Sequence, residues 1–263
     1  MSTVLITGAT SGLGRYIAFE LVRGGHLVLA HGRDRARTEQ LVAELRTEGR
    51  AEGFVADLAS LAEVRELGAR VARGHPELDV LINNAGVGGG PHGSGRELSA
   101  DCHELRLAVN YLAPVALTRA LLPVLRADPP ARIVNVGSAG QEPLDFADPG
   151  LTRGYSGVSA YCRSKFALAA HTFTLAEELA GTGVSVNVLH PATYMDTTMV
   201  RDAGVTPWNT VADGAPGVLA LATQDLGTGR YFDGTSPSRA HEATYDPEVR
   251  KHLASVTDQL LAV

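Results

Sequence analysis

Tyr161 and Lys165 stand four residues apart in the run Tyr161-Cys162-Arg163-Ser164-Lys165. On a helix that spacing puts a phenol and an amine on one face, a turn apart. A cation beside a phenol favours the phenolate and lowers a pKa that starts near ~10. A tyrosine tuned toward neutral pH can pass a proton to or from a substrate oxygen. Of the 23 lysines and arginines only Lys165 and Lys251 are lysine. Arginine, with its higher pKa and larger head, cannot serve in the same way. The plain alternative is an ordinary helix pair, and the neighbouring motifs decide between the two.

Thr7-Gly8-Ala9-Thr10-Ser11-Gly12-Leu13-Gly14 follows an apolar run and opens an amphipathic one. Glycines there let the backbone turn tightly against a pyrophosphate, and a helix N-terminus supplies N–H donors and a positive dipole end. At the end of the second apolar run, Leu29-Ala30-His31-Gly32-Arg33, no carboxylate offers itself to ribose hydroxyls. Arg33, with Arg15 in the glycine loop, can pair with a 2′-phosphate, which favours NADP(H) and leaves NAD(H) as the other candidate; the plain alternative is that both arginines are solvated surface groups. Asp57, followed by Leu58, either accepts from an adenine amino group or caps a helix. Asn83-Asn84-Ala85-Gly86 suits packing against a ribose, or a strand-end turn held by side-chain bonds. Ser138 ends another apolar run and can donate to a substrate carbonyl. Asn110 lies in the middle of a helical stretch, either exposed or in a polar network. Cys162 reads as a small apolar filler or a reactive thiol.

The elements that must position these residues alternate. Strands are expected at Thr3–Thr7, His26–Ala30, Ala51–Ala56, Val80–Ile82, Ile133–Val136 and Val184–Leu189. Helices are expected at Gly12–Arg23, Arg35–Arg46, Leu61–Arg73, about 102–126 and about 159–180. Residues 192–215 read as loop and short helix, Tyr231-Phe232 as a last short strand, and Pro247–Leu261 as a helix. This order predicts an α/β fold, a doubly wound parallel sheet of Rossmann type with helices on both faces, forming a single domain over 1–263. Loops at about 86–96, 140–157 and 192–215 are the expected substrate loops, the first with six glycines in Gly86–Gly95.

The 263 residues are 44% hydrophobic and carry a net charge of −6. That balance predicts neither a nucleic-acid partner nor attraction to anionic lipid. Two cysteines give no disulfide framework or metal motif. The start lacks the pattern of a signal peptide, and no stretch is read as reaching membrane-span length. A soluble cytoplasmic protein with no bound metal is the expectation.

Together the Thr7–Gly14 loop, Asp57, Asn83–Gly86, Asn110, Ser138, Tyr161 and Lys165 resemble the short-chain dehydrogenase/reductase family, in its order and at its intervals. The loops at Ser138–Gly157 and Gly229–Phe232 look like the retinol-dehydrogenase-like subgroup. The resemblance implies that Ser138 orients the substrate oxygen and that Tyr161 is the acid/base. Lys165 lowers the tyrosine pKa and holds the nicotinamide ribose, and Asn110 helps keep a water that links Lys165 to solvent. It also implies a homodimer or homotetramer through the two long helices after the fourth and fifth strands. One departure stands out. The family usually follows the sixth strand with Pro-Gly and a threonine near the nicotinamide, whereas this chain reads His190-Pro191-Ala192-Thr193, leaving Thr193 or Thr197 for that role.

The expected function is NADP(H)-dependent interconversion of a carbonyl and an alcohol on a medium-sized, partly apolar small molecule. Gln141, His92, Phe146, Tyr155, Tyr194, Met195 and Trp208 are the candidate substrate contacts. The arginine bias of a GC-rich genome fits a biosynthetic ketoreductase. Epimerisation or dehydration with the same tyrosine, and a non-catalytic dinucleotide-sensing protein, are the alternatives.

Overall fold

A computed structural model describes residues 1–91, 94–127 and 129–262. Apolar runs form β1 (Thr3–Ile6), β2 (Leu27–Gly32), β3 (Arg50–Val55), β4 (Val80–Asn83), β5 (Ala131–Val136) and β6 (Val184–His190). Between the first four lie α1 (Gly12–Arg23), α2 (Arg35–Arg46) and α3 (Leu61–Gly74). One long helical run separates β4 from β5: α4 (Leu105–Leu107), a π-helical segment (Ala108–Leu112) and α5 (Ala113–Leu125). α6 (Gly157–Glu178) leads into β6. Then come α7 (Thr198–Asp202), α8 (Val211–Thr223), β7 (Tyr231–Asp233), β8 (Ser236–Ser238), a 3-10 turn (Glu242–Tyr245) and α9 (Pro247–Leu261).

The strands make one sheet in the order β3-β2-β1-β4-β5-β6-β7-β8, parallel except for the β7–β8 pair. Because strand side chains alternate, β1 sends Val4 and Ile6 into a layer with α1, α2 and α8, and Leu5 into the layer of α3, α5, α6 and α9. Burial of both faces explains why the strands read as continuous apolar runs. The chain order reverses between β1 and β4. In open α/β sheets that switch point, at the strand carboxyl ends, is where ligands bind.

Several expectations change. β2 starts one residue later and runs to Gly32, which places His31 inside the strand and buries it. Residues 211–215 belong to α8, whose glycines and Pro216 hid the helical pattern. Gly217 is needed there because a Cβ would lie 2.2 Å from the Gly234 carbonyl oxygen. β8 is exposed, short and centred on Pro237, so it carries no apolar alternation to read. The run Leu105–Leu125 does reach membrane-span length and apolarity, contrary to expectation. It is mostly buried, because the sheet, α3 and α6 enclose it and little of its surface has to be polar.

α9 lies against the outer side of α5 and α6. Tyr111 of the π segment shares a hydrogen bond with Thr257, Arg119 pairs with Asp258, and Arg250 with Glu177.

A buried polar ladder ties the sheet to its helices near the site. Asn83 Nδ2 donates to Asn135 Oδ1 (2.9 Å) on the paired strand and to Thr118 Oγ1 (3.3 Å), and Asn135 Nδ2 donates to Thr172 Oγ1 (2.8 Å). Asn135→Ala leaves the Asn83 and Thr172 groups each short of a partner. A fall of about 2–3 kcal/mol in unfolding free energy is expected from urea titration. An unchanged midpoint would show that the ladder adds nothing net.

Candidate active site

The turn after β1 is built for close backbone approach. Gly8 has φ +66°, and a Cβ there would meet the Ala85 Cα at 2.8 Å; a Cβ on Gly14 would lie 2.3 Å from the Gly8 carbonyl oxygen. Ser11 precedes α1 in an extended conformation, its side chain caps nothing, and the first turn holds no acid. The first N–H groups of α1 are thus left for an anion, so the residues present fit a dinucleotide pyrophosphate. Asn84 Nδ2 donates to the Thr7 carbonyl (2.8 Å), and the Thr7 hydroxyl accepts the Asn84 and Ala85 N–H groups, which pins the β4 end to the turn. The strand-end turn reading of Asn83–Gly86 is therefore present, with Gly86 brought beside Asn110 and Lys165.

His31 was missed as a site residue. It is buried within β2, and its Nδ1 accepts the Gly8 N–H (3.2 Å) while Nε2 lies 3.0 Å from the Ala56 carbonyl. Burial pushes it down to about 4, so it stays neutral and braces the glycine turn. Arg33 is exposed, with no ion pair among the described residues. Arg15, expected to share a phosphate with it, instead pairs with Glu44 and lies over Phe19. A shallow depression between α1 and α2 is lined by Thr10, Arg15, Arg37, Gln40 and Glu44. Arg37 was not anticipated; it lies in the first turn of α2, four residues after Arg33.

Asp57 does not cap α3. Its Oδ1 accepts the Ala59 N–H (2.9 Å), and Ser60 is the cap. The side chains of Leu13 and Leu58 are buried in the two core layers. Pro191 is buried, and no left-handed residue is required at Ala192, because that conformation falls on Tyr194 at φ +44°. The Pro-Ala departure is therefore accommodated without strain at position 192. Thr193 is turned to His190 Nε2 (3.0 Å). Thr197 caps α7, and its methyl lies 3.1 Å from where a Gly12 Cβ would be, so Thr197 is the threonine that reaches the glycine turn.

The proton-handling residues converge at the carboxyl ends of β4 and β5. Asn110 is fully buried in the π segment: its Oδ1 accepts the Val87 N–H (2.7 Å), and its Nδ2 donates to the Val87 carbonyl (3.0 Å) and to Ser164 Oγ (3.0 Å). Of its two sequence readings, the polar network is the one present. Three of the four bonds that amide can make go to Val87 and Ser164, so its side chain acts as a clamp on the β4 loop. The Ser164 hydroxyl donates in turn to the Tyr161 carbonyl (2.6 Å). Ser138 Oγ accepts the Gly140 N–H (3.1 Å), and the serine stands beside the Tyr161 phenol, whose pKa it draws down. Lys165 is 4% exposed, its Nζ donates to the Val136 carbonyl (2.7 Å), and Nζ lies 5.8 Å from the Tyr161 ring centroid.

The electrostatics differ from the expected simple pairing. Burial raises the Tyr161 pKa, and the Ser138 hydrogen bond opposes the rise. Burial also pushes the Lys165 amine down to about 8, and its Nζ donates to the Val136 carbonyl. The Cys162 thiol is pushed up by burial and by Glu142, as suits a filler and not a nucleophile.

The substrate-loop candidates divide. Gln141 Nε2 donates to the Ser138 carbonyl (2.8 Å) and its Oε1 accepts the His241 N–H, so it supports the serine loop. Phe146 stacks on His252 of α9, and Met195 packs into the α8 layer against Gly214. The Tyr155 hydroxyl is taken up by Glu104 and Arg106. Each of these four has a partner far away in sequence. Tyr194 and Trp208 remain exposed and pack edge to face (4.9 Å). His92 lies outside the described residues. Met199 of α7 was missed: it lies over Gly86 and Gly88, and nothing in its local sequence marks it.

The family model for short chain dehydrogenase matches residues 2–207. Human retinol dehydrogenase 13 is 34% identical over 291 aligned positions, covering 99% of this chain and 85% of that protein. A crystal structure of an uncharacterised protein from Mycobacterium Paratuberculosis has 32% identity and a TM-score of 0.83, covering 100% of this chain and 94% of that one. The RhlG/NADP active-site complex of Pseudomonas aeruginosa has 28% identity and a TM-score of 0.73, covering 88% and 94%.

Lys165 yields a test of its burial. Its folded pKa, about 8 against 10.5, is depressed, so the unfolded chain holds more protons between those values and stability rises with pH there. Between pH 7.5 and 9.5 the wild type should gain about 2 kcal/mol relative to Lys165→Met in urea unfolding. Parallel pH profiles would rule out a depressed amine.

Proposed function

The chain belongs to the short-chain dehydrogenase/reductase family, and on that premise we propose that it interconverts a carbonyl and an alcohol on a medium-sized, partly apolar small molecule with NADP(H). The observation that carries the reading is the convergence of Ser138, just past the end of β5, with Tyr161 on α6, and the buried Lys165 one turn along that helix bonded to the Val136 carbonyl. A protein that only sensed a dinucleotide would need no such set.

Gly8, Thr10, Ser11, Gly12, Leu13 and Gly14 would hold the pyrophosphate side, with Thr197 across it. Asn84, Ala85 and Gly86 would border the ribose beside Lys165, and Asp57 and Leu58 the adenine. The nicotinamide, when bound, supplies or accepts the hydride. Tyr161 gives its phenolic proton to the carbonyl oxygen in reduction and takes it back in oxidation. Ser138 donates to the same oxygen and fixes its distance from the phenol. Lys165 is then available to restore the tyrosine proton, since an amine near 8 can give one up close to neutral pH.

Arg33 supports NADP(H) over NAD(H), since it is exposed just past β2 with no ion pair among the described residues, and the strand itself ends without an acid. The retinol dehydrogenase name of the human relative supports an apolar alcohol, or its carbonyl, as the substrate class. Met199, Tyr194 and Trp208, all exposed, would offer it apolar surface. Self-association stays part of the proposal, but α9 already lies over α5 and α6, so a second copy approaching there would meet α9.

Loss of nicotinamide absorbance over a ketone and aldehyde panel tests the reaction. Tyr161→Phe should lower kcat by about 10²–10⁴-fold with the protein still folded; wild-type turnover in that variant would overturn the proton-transfer role. Arg33→Ala should weaken NADPH binding about tenfold and leave NADH binding unchanged. Equal loss for both cofactors would remove the basis for the NADP(H) preference.

A further inference from the structure

One turn before Asn110 lies a second buried clamp, which proton transfer does not use. Arg106 is 2% exposed and Glu104 1%. Arg106 Nε donates to the Gly88 carbonyl (3.0 Å), Nη1 to the Tyr155 hydroxyl (3.0 Å) and, more weakly, to Glu104 Oε1 (3.4 Å), and Nη2 pairs with Glu97 (2.9 Å). The Tyr155 hydroxyl donates to Glu104 Oε1 (3.0 Å), and Glu104 Oε2 accepts the Leu107 N–H (2.8 Å) at the start of α4. One guanidinium thus joins the loop after β4, the start of α4 and the segment that enters α6.

Those two loops also touch directly. A Cβ on Gly157 would lie 2.0 Å from the Gly89 carbonyl oxygen, and one on Gly89 would lie 3.1 Å from Val158. Their separation is therefore set by backbone contact, and the fork holds them to it. Burying an ionised guanidinium is costly unless its donors are satisfied. A lysine, a single point charge, could not reach all these acceptors at once.

We propose that Arg106 is a positioning residue for the substrate side of the site, holding Gly88 and Tyr155 together so that Gly86–Pro91 and the start of α6 form one fixed wall whose position selects which carbonyl compounds fit. The proposal rests on the reductase reading. Asn110 and Arg106, four residues apart, grip consecutive peptide units, Val87 and Gly88. The Asn110 grip keeps Gly86 beside Lys165, and the Arg106 grip directs the chain beyond it. At its other end the fork fixes Tyr155, six residues before Tyr161. Burial first, and then Glu104, push the Tyr155 phenol up to about 12, so it remains a hydroxyl donor throughout the working pH range.

Tyr155→Phe removes one arm of the fork with little change in shape, whereas Arg106→Gln strips the centre at the risk of misfolding. For Tyr155→Phe, KM for the carbonyl substrate should rise about tenfold, with kcat within about twofold and NADPH affinity unchanged. Amide exchange over residues 86–91 and 154–158 should speed up by at least about fivefold. Arg106→Lys should show the same pattern, more strongly, and so fail to rescue. Unchanged exchange in both segments, an unchanged KM, or full rescue by lysine would overturn the proposal. Exchange is read without turnover. A wild type inactive on every carbonyl would therefore sink the reductase reading while the exchange result still decided the role of Arg106.

Discussion

A buried ammonium has to be answered, and in this fold the answer is the Val136 carbonyl at the end of β5. The bond holds only if α6 lies close against the sheet. Ala167, Ala169 and Ala170 permit that approach, since all three are small and fully buried. It also requires β5 to be locked in depth. The Asn83–Asn135–Thr172 ladder does this by tying β4, β5 and α6 at one level. Tyr161 and Ser138 then face each other because one precedes Lys165 by a turn and the other follows Val136 by two residues. The geometry of the site is thus a consequence of one cation being kept out of water.

Much of this frame was legible in the chain. Parallel strands buried on both faces write themselves as uninterrupted apolar runs, and α1, α2 and α9 begin and end where their caps and periodicity put them. The glycine turn and the Tyr161–Lys165 spacing were readable because both depend on local geometry. What local sequence could not carry was the state of the charges. A lysine beside a tyrosine suggests a lowered phenol pKa, yet burial acts on both groups and dominates each. Depth in the fold is a property of the whole chain.

The substrate side shows the same limit in another form. Phe146, Tyr155, Gln141 and Met195 read as pocket residues because aromatic and polar side chains in loops suggest ligand contacts. Each is held by a group distant in sequence: His252, Glu104, His241 and Gly214. Arg106 went unnoticed for the converse reason. On an apolar helix it reads as a single surface arginine, and only the loops that fold over it make it a buried fork. His31 behaved similarly, since a strand-end histidine gives no sign that the glycine turn rests on it.

The bond between Tyr111 and Thr257 links the π segment next to Asn110 with a helix far along the chain. During synthesis the glycine turn, β1 and β4 can be assembled long before that helix leaves the ribosome. The Asn110 turn therefore gains its outer support only once residues around 257 have been made. A chain terminated before that point would carry the glycine turn and the strands beside it but leave the π segment without this brace.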